Sequence, residues 1–230
     1  MILALHPRFV VALLGLFAFL PASLNAGMTP EEVRIAAKIK ENAERGVARS
    51  QCVLGFCYFK GQGVAKDEME AVRWYRKAAE QGYAPAQYFL GYCYTYGEGV
   101  AKDEAEAIKW YRKGAEQGER GAQTSLGDCY ANGEGAAKDE VEAVRWYRKA
   151  AEQGYAPAQF NLGLCYANGV GVAKDEIEAY AYWNLSGITL EPARRKLAIL
   201  ENKMSSDARL LGQQRAKFLQ KEIEEKKAGK

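Results

Sequence analysis

The residues of this chain that could do chemistry recur at one interval. Cys57, Cys93, Cys129 and Cys165 stand 36 residues apart, as do the carboxylate pairs Asp67/Glu70, Asp103/Glu106, Asp139/Glu142 and Asp175/Glu178. Thiols in fixed register could hold a soft metal, and paired carboxylates could bind calcium or exchange protons. Each carboxylate pair is also an Asp followed three residues later by Glu, ahead of an apolar run. That is the pattern of a helix capping box, and it explains the pairs without any ligand. The pairs Gly61/Gly63, Gly97/Gly99, Gly133/Gly135 and Gly169/Gly171 could suggest phosphate cradles. They fall between helices, no Gly-Lys-Ser follows, and helix closure is the simpler reading.

Elimination removes most other chemistry. The only histidine is His6, near the N-terminus. Ser-His and Cys-His hydrolases and His-ligated zinc are therefore excluded from the rest of the chain. No Cys-x-x-Cys occurs, and no Ser is followed three places on by Lys. Helices at equivalent places in a repeat stack about 8–10 Å apart, beyond the ~7 Å reach of a disulfide. Cys52 and Cys57 point about 140° apart on one helix. Five buried free thiols are expected, with no metal, no cofactor and no catalytic residue.

These residues are positioned by helices. Asp103–Gly118 (DEAEAIKWYRKGAEQG) occurs again 36 residues earlier and 36 later, with a weaker copy from Asp175. A period of this length predicts stacked helix pairs. In one pair, Pro85 opens a first helix with Ala86, Leu90, Cys93 and Tyr94 inward, and Gly97-Glu98-Gly99 ends it. Asp103 caps a second helix whose stripe is Ala107, Trp110, Tyr111, Gly114 and Ala115. Gly55, Gly91, Gly127 and Gly163 fall mid-helix, each costing about 1 kcal/mol against Ala. Four such costs in phase predict an aromatic side chain, Trp or Tyr, against bare backbone. Trp74, Trp110 and Trp146 read as wedges between layers; in the last copy Tyr182 takes the Trp register and Trp183 the Tyr register.

The domain organisation follows. Residues 1–26 have the layout of a secretory signal peptide: His6 and Arg8, an apolar Phe9–Leu20, then small residues to Ala26. Export and cleavage after Ala26 are expected, to the periplasm or outside the cell, with no membrane span left afterwards. Residues 27–45 read as an N-terminal capping helix opened by Thr29-Pro30. Residues 46–187 hold four repeats (46–81, 82–117, 118–153, 154–187), and 188–230 hold C-terminal capping helices and a charged tail. Leu211, Phe218, Leu219 and Ile223 are expected inward on the last helix, with fraying from Glu222. Basic residues outnumber acidic ones 11 to 5 from Pro192 on. Acidic residues are mixed in and Phe218 is the one aromatic there, so nucleic acid is not expected.

The pattern Ala-x-x-Leu-Gly-x-x-Tyr-x-x-Gly-x-Gly-Val, then Asp-x-x-Glu-Ala-x-x-Trp-Tyr-x-x-Ala-Ala-x-x-Gly, resembles the Sel-1-like repeat, a relative of the tetratricopeptide repeat. Ser50 departs from it where other copies have Ala, and Ala136 where others have Val. The resemblance implies an all-α, right-handed solenoid that serves as a scaffold for protein partners without chemistry of its own. Cysteine-rich secreted relatives linked to β-lactams use paired cysteines, whereas this chain has one per repeat. A secreted β-lactamase or penicillin-binding type and a structural envelope spacer remain as other readings. The sequence gives neither the partner nor the oligomeric state.

Three first-helix positions change freely between copies: Cys52/Tyr88/Thr124/Phe160, Phe56/Tyr92/Asp128/Leu164 and Lys60/Tyr96/Asn132/Asn168. At i, i+4 and i+8 they share one helix face. First helices line the concave side of such solenoids, so this stripe is expected to be an exposed, aromatic-rich surface that contacts a protein or peptide.

Overall fold

The computed structural model describes residues 30–229. They form helices and connecting turns, without a β-strand among the described residues. The signal-like segment and Thr29 lie outside them. The chain divides into two compact units, one ending at Gly114 and the other beginning at Ala115.

Unit one contains α1 (Pro30–Glu44), α2 (Ala48–Lys60), α3 (Glu68–Glu80), α4 (Ala84–Tyr96) and all but the last residues of α5 (Glu104–Glu116). Unit two contains α6 (Arg120–Asn132), α7 (Glu140–Ala151), α8 (Ala156–Asn168), α9 (Glu176–Gly187), α10 (Glu191–Glu201) and α11 (Ser206–Ala228). Even-numbered helices α2 to α8 are the first helices of the four repeats, and each packs on the helix that follows.

The caps explain where these helices start and stop. Asp67 Oδ1 accepts from the Glu70 N–H at 2.9 Å, and Asp103 and Asp139 do the same for Glu106 and Glu142. Asp175 accepts from Ile177 and Glu178. The reciprocal half of the expected capping box is replaced. The Glu side chains turn outward to a basic residue one turn on: Glu70 to Arg73, Glu106 to Lys109, Glu142 to Arg145. The fourth copy has Ala181 at that register, and Arg215 of α11 supplies the cation to Glu178 instead, at 2.6 Å. At the other end, Gly97 adopts φ +71°, a left-handed conformation that closes α4 with its N–H on the Cys93 carbonyl.

The mid-helix glycines do lie under aromatic rings, and the ring comes from the Tyr register rather than the Trp. A Cβ on Gly91 would sit 2.7 Å from Tyr111, and one on Gly55 2.8 Å from Tyr75. In unit two Gly127 faces Tyr147 and Gly163 faces Trp183, each with 2.6 Å for a Cβ. Trp110, Trp146 and Tyr182 are buried and Trp74 is half-buried. Their partners are partly cationic: Lys77, Lys113 and Lys149 lie 4.0–4.2 Å above the Trp rings. A buried Gln in each first helix (Gln51, Gln87, Gln123, Gln159) donates to the carbonyl of an Ala eight residues earlier, satisfying a helix C-terminus.

The five cysteines are buried thiols outside any disulfide, as expected. At the N-terminal end α1 buries Ala36 and Ala43 and exposes Lys38, a polar outer face that ends the stack. At the other end Ser205 caps α11. Its buried residues are Gly212, Ala216, Leu219 and Ile223. Leu211 and Phe218, expected inward, are instead 50% and 53% exposed. Gly212 sets this rotation: the Tyr180 ring rests on it, with 2.6 Å for a Cβ. The expected fraying from Glu222 is not seen before Ala228, because Ile223 is buried and Lys226 pairs with Glu152 at 2.9 Å. No helix among the described residues is long and apolar enough to cross a membrane.

Candidate first-helix binding face

The stripe read as a surface is only partly one. Phe56, Thr124 and Phe160 are buried, as is Cys52. Tyr88, Tyr92, Asp128 and Leu164 are half-buried. Lys60, Tyr96, Asn132 and Asn168 are exposed. The correction follows from helix geometry. Steps of four residues advance about 40° beyond a full turn, so i to i+8 rotates some 80°. The stripe starts in the core and ends at the solvent edge. Only its last positions are open surface.

In unit one the stripe belongs to a continuous set of rings. Tyr96, 53% exposed, lies 4.5 Å from Tyr92 between ring centroids. Tyr92 meets Phe59 edge-on at 6.0 Å, and Phe59 meets the sealed Tyr75. Tyr75 stacks on Phe89 at 5.1 Å, and Phe89 contacts both Phe56 and Tyr88. Tyr88 continues to Tyr111. Lys60 Nζ sits 4.8 Å over Phe59. Burial, then the nearby Glu98, pushes the Tyr92 hydroxyl well above its usual range. Phe59 and Phe89 were missed in the sequence, although Phe59/Thr95/Ala131/Ala167 and Val53/Phe89/Ser125/Asn161 also vary between copies.

In the third repeat, in unit two, the same registers are polar, whereas the fourth has Phe160 and Leu164 there. Asp128 Oδ1 accepts from the Tyr147 hydroxyl at 2.7 Å and from Asn161 Nδ2 at 3.0 Å. Burial pushes the Asp128 carboxyl up to about 7; the Tyr147 bond opposes this and Glu134 adds to it. Asn132 donates to Glu134 at 3.3 Å, and Asn168 to the Leu164 carbonyl at 2.9 Å. Thr124 bonds back to the Arg120 carbonyl at 2.8 Å, and the Phe160 carbonyl accepts from Trp183 Nε1 at 3.3 Å. These last two residues hold the helices rather than offer a surface.

Nothing in either face suggests a reaction. Burial raises the Cys57 thiol to about 11 and those of Cys93 and Cys165 to about 12, so they stay protonated and poorly nucleophilic. No group of three or more His, Cys, Asp or Glu among the described residues is placed to hold a metal. A recess of about 340 Å³ in unit two is lined by Arg148, Tyr166, Tyr182, Arg215 and Lys226 among others. Its cations are already engaged: Arg215 by Glu178, Lys226 by Glu152, and Arg148 by the Tyr166 hydroxyl.

Comparison with known proteins agrees with this geometry. The Sel1 repeat family model matches residues 48–83, 84–119, 121–155 and 156–187. A Sel1 repeat protein from Oxalobacter formigenes is similar in structure, with TM-score 0.65 and 36% identity over 82% of this chain and 73% of that one. A protective antigen of uropathogenic Escherichia coli with the Sel1-like fold has TM-score 0.55 and 30% identity over 84% of this chain, which spans 49% of the antigen. An immunity protein from Pseudomonas aeruginosa, 23% identical with TM-score 0.54 over 84% of this chain and 73% of that one, shares the fold. No functionally curated protein matches the chain. With four matched repeats over more than half its length, in the all-α solenoid class, this chain belongs to the Sel1 repeat family, a generally non-catalytic scaffold family whose repeats typically mediate protein contacts.

Proposed function

We propose that the chain is an exported, non-catalytic scaffold that binds a protein or peptide partner through the first-helix face of its repeats. The observation that carries this is the Tyr92–Tyr96 pair. Tyr96 is open to solvent, and its ring rests on Tyr92, which in turn meets Phe59 and, through it, the sealed Tyr75. An aromatic whose foundation is fixed in the core loses little freedom on binding, and such rings dominate interface hot spots. Export is supported by the leader pattern of residues 1–26.

A photo-crosslinking amino acid placed at Tyr96 or Asn132, and separately at Lys109 or Lys149 on the second helices, tests the surface in an envelope fraction. Partner adducts are expected from the first-helix positions and not from the second-helix ones. Equal or reversed yields would remove the assignment. Export has its own check: intact mass of protein recovered from the periplasm or medium should begin at Gly27, and a full-length cytoplasmic product would contradict it.

A further inference from the structure

In unit two the first-helix face contains a carboxylate that the fold does not neutralise. Asp128 occupies a register filled by Phe56, Tyr92 and Leu164 in the other repeats. A half-buried acid there is costly unless paired. No Lys or Arg pairs with it among the described residues, and the like charge of Glu134 adds to the upward push of burial. Tyr147 from α7 and Asn161 from α8 both donate to Oδ1, which fixes the side chain in one orientation. Oδ2 accepts no hydrogen bond among the described residues. The residue is half-buried, so part of it meets solvent at the edge of the face. The result is an oriented acceptor with one oxygen unused and no internal cation. Exposed Asn132 lies one turn further along α6 and adds polar capacity at the rim.

We propose that Asp128 anchors a basic side chain, lysine or arginine, of a peptide segment bound on the first-helix face of unit two. This rests on the reading of that face as the binding surface. An ammonium or guanidinium group reaching Oδ2 would complete the missing charge pair and gain a charge-assisted hydrogen bond. Burial that holds the free carboxyl near neutrality makes the contact sensitive to pH, with binding strengthening as the acid ionises. The titratable groups around it do not reverse that sign. Glu134 is acidic, and Tyr147, Tyr155 and Cys165 remain neutral because burial raises each of them.

The test uses the full chain and three pools of fluorescein-labelled nonapeptides, with lysine, arginine or norleucine fixed at the centre. Fluorescence anisotropy at low salt reads affinity. The parent is expected to prefer the lysine and arginine pools by at least about tenfold at pH 8, and much less at pH 6. Asp128→Asn keeps an oxygen for Tyr147 and Asn161 and should lose the preference while still binding the norleucine pool. Asp128→Leu, which places the residue of the next repeat at this register, should do the same. The pH response of the parent needs no variant, so misfolding of either one leaves the idea open to refutation. A preference that survives both substitutions, or a parent that binds all pools equally, overturns the anchor and leaves the first-helix surface standing. A parent that binds no pool overturns both.

Discussion

The second and third repeats, one in each unit, use one helical frame to present opposite chemistry. In the second repeat the variable registers are Tyr88, Tyr92 and Tyr96, whose ring contacts lead through Phe59 and Phe89 down to Tyr75. In the third repeat they are Thr124, Asp128 and Asn132, with hydrogen bonds in place of ring contacts. The glycine under an aromatic, the Asp cap and the buried Gln are the same in both. A repeat fold thus separates residues that hold the stack from residues free to differ. The tyrosine at the second-helix register shows where the two meet. Tyr75 and Tyr147 are equivalent and both buried. Tyr75 has a hydroxyl without a partner, while Tyr147 donates to Asp128. The same side chain is a polar liability in one face and the support of a carboxylate in the other.

The shared frame should fail equally in both units, and with the largest effect. Gly91→Leu and Gly127→Leu each drive a side chain into a tyrosine ring already in contact with backbone. Each should cost about 3 kcal/mol or more, read by denaturant unfolding. If one variant unfolds at the parent's midpoint, the frame is not common to the two units.

Asp128→Asn comes next, and it should stabilise. Burial pushes the folded carboxyl up to about 7 from its ordinary value of 3.8, so the proton binds the folded state more tightly. That contribution is fully present below the unfolded value and is lost as pH rises through about 7. The variant should therefore match the parent near pH 4 and exceed it by about 2–4 kcal/mol at pH 8. A Tm difference that does not grow between these pH values would show that burial does not penalise the charge.

The tyrosine pair gives a smaller and opposite-signed comparison. Tyr147→Phe removes a donor from the half-buried Asp128 carboxylate and should cost about 2 kcal/mol at pH 8. Tyr75→Phe deletes an unsatisfied hydroxyl and should be neutral or stabilising by up to about 1 kcal/mol. Equal losses from the two substitutions would mean that the two tyrosine hydroxyls play the same part.

The smallest stability effect belongs to the surface. Tyr96→Ala should lie within about 0.5 kcal/mol of the parent, whereas Tyr92→Ala, half-buried between Phe59 and Tyr96, should cost about 2 kcal/mol. A Tyr96 variant that captures partners as well as the parent would remove the aromatic face from the binding surface.

Much of this was legible in the chain itself, for a physical reason. A 36-residue period repeats local signals, and local signals specify local structure: Asp67, Asp103, Asp139 and Asp175 cap, Gly97 closes, and Leu90, Cys93 and Tyr111 mark the buried stripes. Four in-phase glycines announced a close aromatic contact before any coordinate. Which ring made it, Tyr111 rather than Trp110, depended on how two helices rotate against each other, and no spacing rule contains that angle. The same angle placed Phe56 and Phe160 in the core and left Tyr96 outside, although all three share one stripe. Leu211 and Phe218 went outward because Tyr180 needed Gly212 beneath it. Arg215 reached Glu178 across 37 residues, and Tyr147 and Asn161 converged on Asp128 from two different helices. The sequence by itself determined the repeat, its caps and its packing registers. Tertiary structure decided which variable residues meet solvent and which meet each other, because that depends on helix rotation and long-range approach rather than on order along the chain.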